Sequence, residues 1–219
     1  MPTFPPDSSA ASAMPEANHL HLQDLQDVGA GAFFRPVDAE EAGVSYRRLR
    51  KLVERGEVEQ VARGLYRLSE VEPTELYTLA AVCARVPDAI ICLLSALQFH
   101  RIGTRVPREV WIAIPHKARQ PHLPDFRVRI VRFSGASARY GIEEVTVEGA
   151  PARITSIART VVDCFRFHRL VSRETALEAL REAIAESRTT PEALWRAAEV
   201  CGARTLIGPL LEALPPSAR

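Results

Sequence analysis

Between Gly43 and Leu68 the chain reads stop, helix, stop, hairpin, and this punctuation constrains the fold more than any other feature. A short helix fits residues 37–42, with Gly43 where a left-handed C-terminal residue is needed. Ser45 then offers its hydroxyl as an N-cap to a helix running to about Arg55, and Gly56 supplies the next stop. At about 100° per residue, Leu49, Leu52 and Val53 fall on one face of that helix and Arg47, Arg50, Lys51 and Glu54 on the other. Residues 58–61 and 65–68 read as short strands separated by Ala62, Arg63 and Gly64, a hairpin with glycine at its tip.

Two helices with a glycine turn, the second of them basic, followed by a hairpin, make the order expected of a winged helix-turn-helix. The charge pattern agrees. Residues 43–68 carry Arg47, Arg48, Arg50, Lys51, Arg55, Arg63 and Arg67 against Glu54, Glu57 and Glu59, inside a chain whose formal net charge is only +1. A B-DNA major groove admits one helix, whose N-terminal residues reach base edges. Here those residues are Ser45, Tyr46, Arg47 and Arg48, followed one turn later by Arg50 and Lys51. Arginine can bond guanine bidentately, so Arg47 and Arg50 are assigned to bases. Ser45, Arg48 and Lys51 are assigned to the backbone, and Arg63 beside flexible Gly64 to a wing contact. The competing reading is a solvated amphipathic surface helix, which Glu54 on the basic face favours.

The 219 residues, 47% of them hydrophobic, suffice for one large domain or two small ones. Residues 1–18, rich in Pro, Ser and Ala, are expected to be disordered. A short helix is expected over 19–28, so that the winged domain spans 19–70. Beyond it, helices are expected over 73–85 and 91–101, strands over 110–114 and 128–133, and a hairpin of 145–147 with 152–154 around Glu148, Gly149 and Ala150. Helices follow over 156–167, 172–185, 191–200 and 206–214. The fold class is therefore α+β, a winged helix-turn-helix followed by a mixed α+β domain over 71–219. No apolar run reaches the roughly eighteen residues of a membrane span and no signal peptide stands at the start, so a cytoplasmic protein without a membrane partner is expected.

Several chemistries lose their footing. Cys83, Cys92, Cys164 and Cys201 form no Cys-x-x-Cys and sit in apolar surroundings, so buried reduced thiols are expected. Lys51 and Lys117 are the two lysines, and neither belongs to a phosphate-binding loop. His116 and His122 flank Lys117 and Arg119, poor company for a metal cation. Pro87-Asp88 and Pro124-Asp125 resemble the start of a restriction-nuclease motif, but neither lysine has an acid two residues before it. No catalytic residue, metal or cofactor is expected. Asp163 is spaced for ion pairing with Arg159 and Arg166 along a helix. A second basic block, containing Arg105, Arg108, Lys117, Arg119, Arg127, Arg129 and Arg132, reads either as a further phosphate-binding surface or as surface charge without a partner. Arg127 and Arg129 would share one strand face.

The block from Gly43 to Leu68, Gly-Val-Ser-Tyr-Arg-Arg-Leu-Arg-Lys-Leu-Val-Glu-Arg-Gly and onward, resembles the N-terminal domain of AbiEi-type antitoxins of type IV abortive-infection toxin–antitoxin systems. Leu94-Ser95-Ala96-Leu97-Gln98-Phe99-His100, Glu109-Val110-Trp111-Ile112-Ala113-Ile114-Pro115, Arg132-Phe133-Ser134-Gly135 and Ala158-Arg159-Thr160-Val161-Val162-Asp163-Cys164-Phe165 are similar to stretches of that family's C-terminal half. The resemblance implies a repressor that binds inverted repeats of double-stranded DNA in its own promoter. It also implies that the C-terminal domain opposes a nucleotidyltransferase-like toxin without a stable complex. The alternative is a DNA-binding protein whose C-terminal domain is a nuclease or a protein-interaction module.

Overall fold

The computed structural model describes residues 33–70 and 72–213, so the stretches 1–18 and 19–28 lie outside the described residues. The described residues start with β1 (Phe33–Phe34), α1 (Pro36–Glu41), α2 (Tyr46–Glu54), β2 (Val58–Ala62) and β3 (Leu65–Leu68). Pro36, whose ring presets the helical φ, opens α1, and the Asp38 carboxylate reaches back to accept from the Arg35 N–H at 2.7 Å. Both helices end in a left-handed glycine. Gly43 has φ +78° and Gly56 φ +74°, and the residue after each donates back into the last turn, Val44 N–H to the Ala39 carbonyl and Glu57 N–H to the Leu52 carbonyl.

The three strands form an antiparallel sheet in the order β1-β3-β2. Its two faces have different neighbours. Phe34, Val58, Tyr66 and Leu68 pack with Ala39, Val44, Leu49 and Leu52 of the helical layer. Phe33, Ala62 and Leu65, on the other face, join a cluster with Leu79, Ala80, Val82, Ile91, Ile112 and Ile154. All four residues of β3 are therefore buried.

That second cluster is supplied by α3 (Tyr77–Arg85), β4 (Ile90–Ile91), β5 (Val110–Pro115) and β8 (Ala150–Thr155). With β6 (Val128–Phe133) and β7 (Ile142–Val147) these strands make a mixed sheet in the order β6-β5-β4-β8-β7, parallel at β5–β6 and β4–β8 and antiparallel elsewhere. Its opposite face is covered by α4 (Leu93–His100), α5 (Ile157–Arg166), α6 (Arg173–Ala185), α7 (Pro191–Val200) and α8 (Arg204–Glu212) around Trp111, Ala113, Val131 and Phe133. The mixed α+β class expected for the chain is what the structure has. All four cysteines are buried and unpaired, and no helix among the described residues is long and apolar enough to cross a membrane.

Two expected boundaries need correction. The helix expected from residue 91 starts at Leu93, because Ile90 and Ile91 form a short strand paired on both sides at the centre of the sheet. An apolar run that passes directly from strand to helix has no change of period to betray it. The turn is made by Leu93 at φ +50° rather than by a glycine. The helix expected from residue 73 starts at Tyr77, since the Thr74 hydroxyl accepts from the Leu76 N–H in a local turn at 3.1 Å.

The ion pairing expected of Asp163 is present, fully buried with Arg159 and part-buried with Arg166. Arg159 Nε donates to Asp163 Oδ2 at 2.7 Å, Arg159 Nη1 donates to the carbonyls of Ser137 and Tyr140 at 2.8 Å each, and Arg166 Nη1 reaches Asp163 Oδ1 at 3.3 Å. The guanidinium also lies 4.6 Å from the Phe133 ring centroid, so it ties α5 to β6 and to the segment before β7. Asp163→Ala would leave this buried cation uncompensated and is expected to cost about 3–5 kcal/mol, read as a lower urea midpoint.

His100 Nε2 lies 2.8 Å from the Thr155 carbonyl and donates to it, joining α4 to β8. Burial holds its pKa below the usual 6.5, so the unfolded chain takes up a proton before the folded one does. The resulting stability is present above pH 6.5 and is lost as pH falls from there through the lower value of the folded chain. His100→Gln should accordingly flatten the acid limb of the stability profile measured by denaturant titration.

Candidate nucleic-acid interface

Helix α2 is held by a narrow apolar stripe. Leu49 and Leu52 are buried, Val53 is half-buried, and every other side chain of the helix except half-buried Arg48 is exposed. The partition of faces expected from the periodicity is thus realised. Ser45 stands at the N-cap position as expected, but its hydroxyl does not cap. The Ser45 carbonyl instead accepts from the N–H groups of Arg48 and Leu49 at 2.9 Å each, and the hydroxyl is left exposed.

Ser45, Arg47, Arg48, Lys51, Leu52 and Arg55 line a shallow concavity of about 450 Å³ on this surface. Among the described residues, no carboxylate approaches Arg47, Arg48 or Lys51 within 4.0 Å, whereas Arg50 lies 3.8 Å from Glu54. Both members of the Arg50–Glu54 pair are 67% exposed, so their attraction is screened and weak. Tyr46 is 55% exposed beside them. Arg55, one turn beyond Lys51 and 3.9 Å from Glu57, lines the same concavity and is not among the expected contact residues. Its spacing of seven residues from Arg48 is the signal that could have included it.

The β2–β3 hairpin closes over Arg63 and Gly64, with Ala62 opposite Leu65 and a bulge between Gln60 and Ala62. Gly64 has φ +71°, which a side chain would strain, and Arg63 is exposed at the tip. Arg67, counted with the basic block in the sequence, is turned the other way. It is 6% exposed and its guanidinium lies 5.1 Å from the Tyr77 ring centroid, so it does not belong to the outer surface.

The second basic block does not gather into one surface. Arg129 stacks on Trp111 at 5.1 Å and pairs with Glu109 at 2.5 Å. Arg132 Nη1 donates to the carbonyls of Pro115, His116 and Ala118 at 3.2, 2.6 and 2.9 Å, which anchors the loop after β5. By strand alternation Arg129 and Arg132 stand on opposite faces of β6, and Arg127 precedes that strand, so the expected shared face of Arg127 and Arg129 is not a strand face. Arg108 and Arg127 line one cavity, of about 480 Å³, together with Glu75, Glu109 and Asp125. Arg105, Lys117 and Arg119 are exposed in loops. No group of metal-ligating residues exists among the described residues.

The arrangement is that of an outward basic helix and a hairpin carried on a small sheet. Residues 31–69 match the family model described as "Transcriptional regulator, AbiEi antitoxin", so the resemblance read from Gly43 to Leu68 holds over that stretch. The crystal structure of the RV2827C protein from Mycobacterium tuberculosis is similar with a TM-score of 0.59, covering 90% of this chain and 76% of that one at 15% identity. At that identity the likeness is one of fold, and it supports the mixed α+β architecture. No curated protein matches the chain.

Because Arg47 and Arg50 have no buried partner, their removal should leave the fold intact. Arg47→Ala and Arg50→Ala are each expected to change unfolding free energy by less than about 0.5 kcal/mol, measured by urea titration.

Proposed function

We propose that α1, α2 and the β2–β3 hairpin form a winged helix-turn-helix that binds double-stranded DNA, with α2 in the major groove and the hairpin as its wing. The observation that carries this reading is the basic edge of α2. Arg47, Arg48 and Lys51 project from a helix anchored through Leu49 and Leu52, and among the described residues no carboxylate neutralises them. Three cations within two turns, with no carboxylate partner among the described residues, repel one another, and phosphate is the ligand that turns this cost into affinity. The exposed Ser45 hydroxyl and the first N–H groups of α2 suit a backbone phosphate. Arg47 and Arg50 are the base-reading candidates, Arg48, Lys51 and now Arg55 the backbone contacts. Arg63 is the wing contact.

In this reading the protein is a cytoplasmic, non-enzymatic repressor that binds inverted repeats in its own promoter, and the antitoxin of a type IV toxin–antitoxin pair. The α+β domain over 71–219 opposes a nucleotidyltransferase-like toxin without a stable complex. Support for the biological role comes from the family match over residues 31–69. Co-expression with the neighbouring reading frame tests it: a nucleotidyltransferase toxic alone and tolerated beside this chain is the expected outcome.

DNA binding is tested on the promoter itself. Arg47→Ala or Arg50→Ala should cost about 1–3 kcal/mol of promoter affinity in a mobility-shift assay and relax sequence preference. Lys51→Ala should weaken all sequences alike and lower the slope of log affinity on log salt by roughly one. A double Arg47, Arg50 variant that binds as tightly as the wild type overturns the assignment.

A further inference from the structure

Helix α5 packs against both α6 and α8, which barely meet each other, and the gap between them is an apolar hollow. Its volume is about 410 Å³, inside the span of roughly 300–1,000 Å³ that small-molecule sites occupy. Cys164 of α5, Val171 of the loop after it and Ala176 of α6 form the floor, none of them more than 2% exposed. Ala176 puts a single methyl group where a longer side chain would fill the space. Phe165, Leu206 and Leu210 complete the apolar lining.

Apolar side chains also stand at the mouth. Leu206 is 46% exposed, and Leu170, in the loop between the lining residues His168 and Val171, is 41% exposed. Two of the five large hydrophobic side chains left in water among the described residues are therefore at or beside this one place. Covering such surface is favourable for whatever ligand does it.

The charged part of the lining has one sign. It holds Arg173 and no carboxylate, with the exposed His168 as a second donor. Among the described residues no carboxylate lies within 4.0 Å of the Arg173 guanidinium. Glu174, next in the chain, is outside the lining, and its own N–H and the Ser172 hydroxyl hold its carboxyl below the ordinary value. Arg173 is also the first residue of α6, whose positive dipole end favours an anion there. A guanidinium grips a carboxylate through two parallel N–H···O bonds, and a single cation suits a monoanion.

We propose that this hollow is a binding site for a small monocarboxylate with an apolar body, a free molecule of the size of octanoate. The apolar body lies over Cys164, Val171 and Ala176, and the carboxylate meets Arg173 at the mouth, with a ring N–H of His168 as the further donor. The site is separate from the basic face of α2 and does not rest on the DNA-binding reading.

The test is a chemical-shift titration of the isotope-labelled full chain with octanoate, hexanoate and octan-1-ol. Octanoate is expected to give one saturable curve, with shifts confined to the parts of α5, α6 and α8 around the hollow. Hexanoate should bind about tenfold more weakly because it buries fewer methylenes, and octan-1-ol about tenfold more weakly because it lacks the charge. Arg173→Gln should weaken octanoate about tenfold and leave octan-1-ol within about twofold. Leu206→Glu, which sets a carboxylate at the mouth, should weaken octanoate by about tenfold or more. Both positions are exposed, so both variants should keep the wild-type thermal midpoint; should one fail to fold, the ligand series on the wild type tests the site without it. Shifts that do not saturate or that lie elsewhere, equal affinity for octanoate and hexanoate, or wild-type octanoate affinity in Arg173→Gln each overturn the proposal. So does a wild-type dimer in sedimentation that Leu206→Glu splits into monomers while octanoate fails to bind, because a second copy of the chain then covers the hollow.

Discussion

Strand β3 is buried on both faces, and the rest of the molecule is organised about that fact. Tyr66 and Leu68 face the helical layer of α1 and α2, while Leu65 and Arg67 face α3 and the larger sheet. A strand that must satisfy two layers cannot slide or twist without disturbing both cores. The helix carrying the basic residues is therefore not tethered by a flexible linker. Its supporting sheet shares a hydrophobic cluster with the C-terminal domain, across the connection at residues 69–76.

Much of the small unit was legible in the sequence because its signals are local. Gly43 and Gly56 mark helix ends by a backbone conformation that few other residues adopt, and Leu49 and Leu52 mark the inward face by their spacing. What escaped is what depends on distant residues. Arg67 looked like one more basic group, since a strand apolar on both faces has no alternation to show which way an arginine points. Arg129 and Arg132 read as either a phosphate-binding surface or unpartnered charge because their partners, Glu109 and the carbonyls around His116, are brought close only by the pairing of β5 with β6.

The same contrast separates the two buried arginines. Arg159 is matched by Asp163 four residues away, so helical periodicity alone announces the pair. Arg67 has only a loosely placed, half-exposed Glu59 and the face of Tyr77. A buried cation of the first kind fixes a core. One of the second kind sits at a seam, where a looser, half-exposed carboxylate leaves room for alternative partners at small energetic difference.

The narrowness of the stripe that anchors α2 bears on how such a protein can diverge. Leu49 and Leu52 alone are buried in the helix, and the outward residues do nothing for the fold. Substitutions at the exposed positions 47, 50 and 51 are therefore nearly free in stability. Under the proposed DNA-binding reading, lineages of this chain can wander through operator preferences by changing the side chains at 47 and 50 one at a time, without compensating changes in the core.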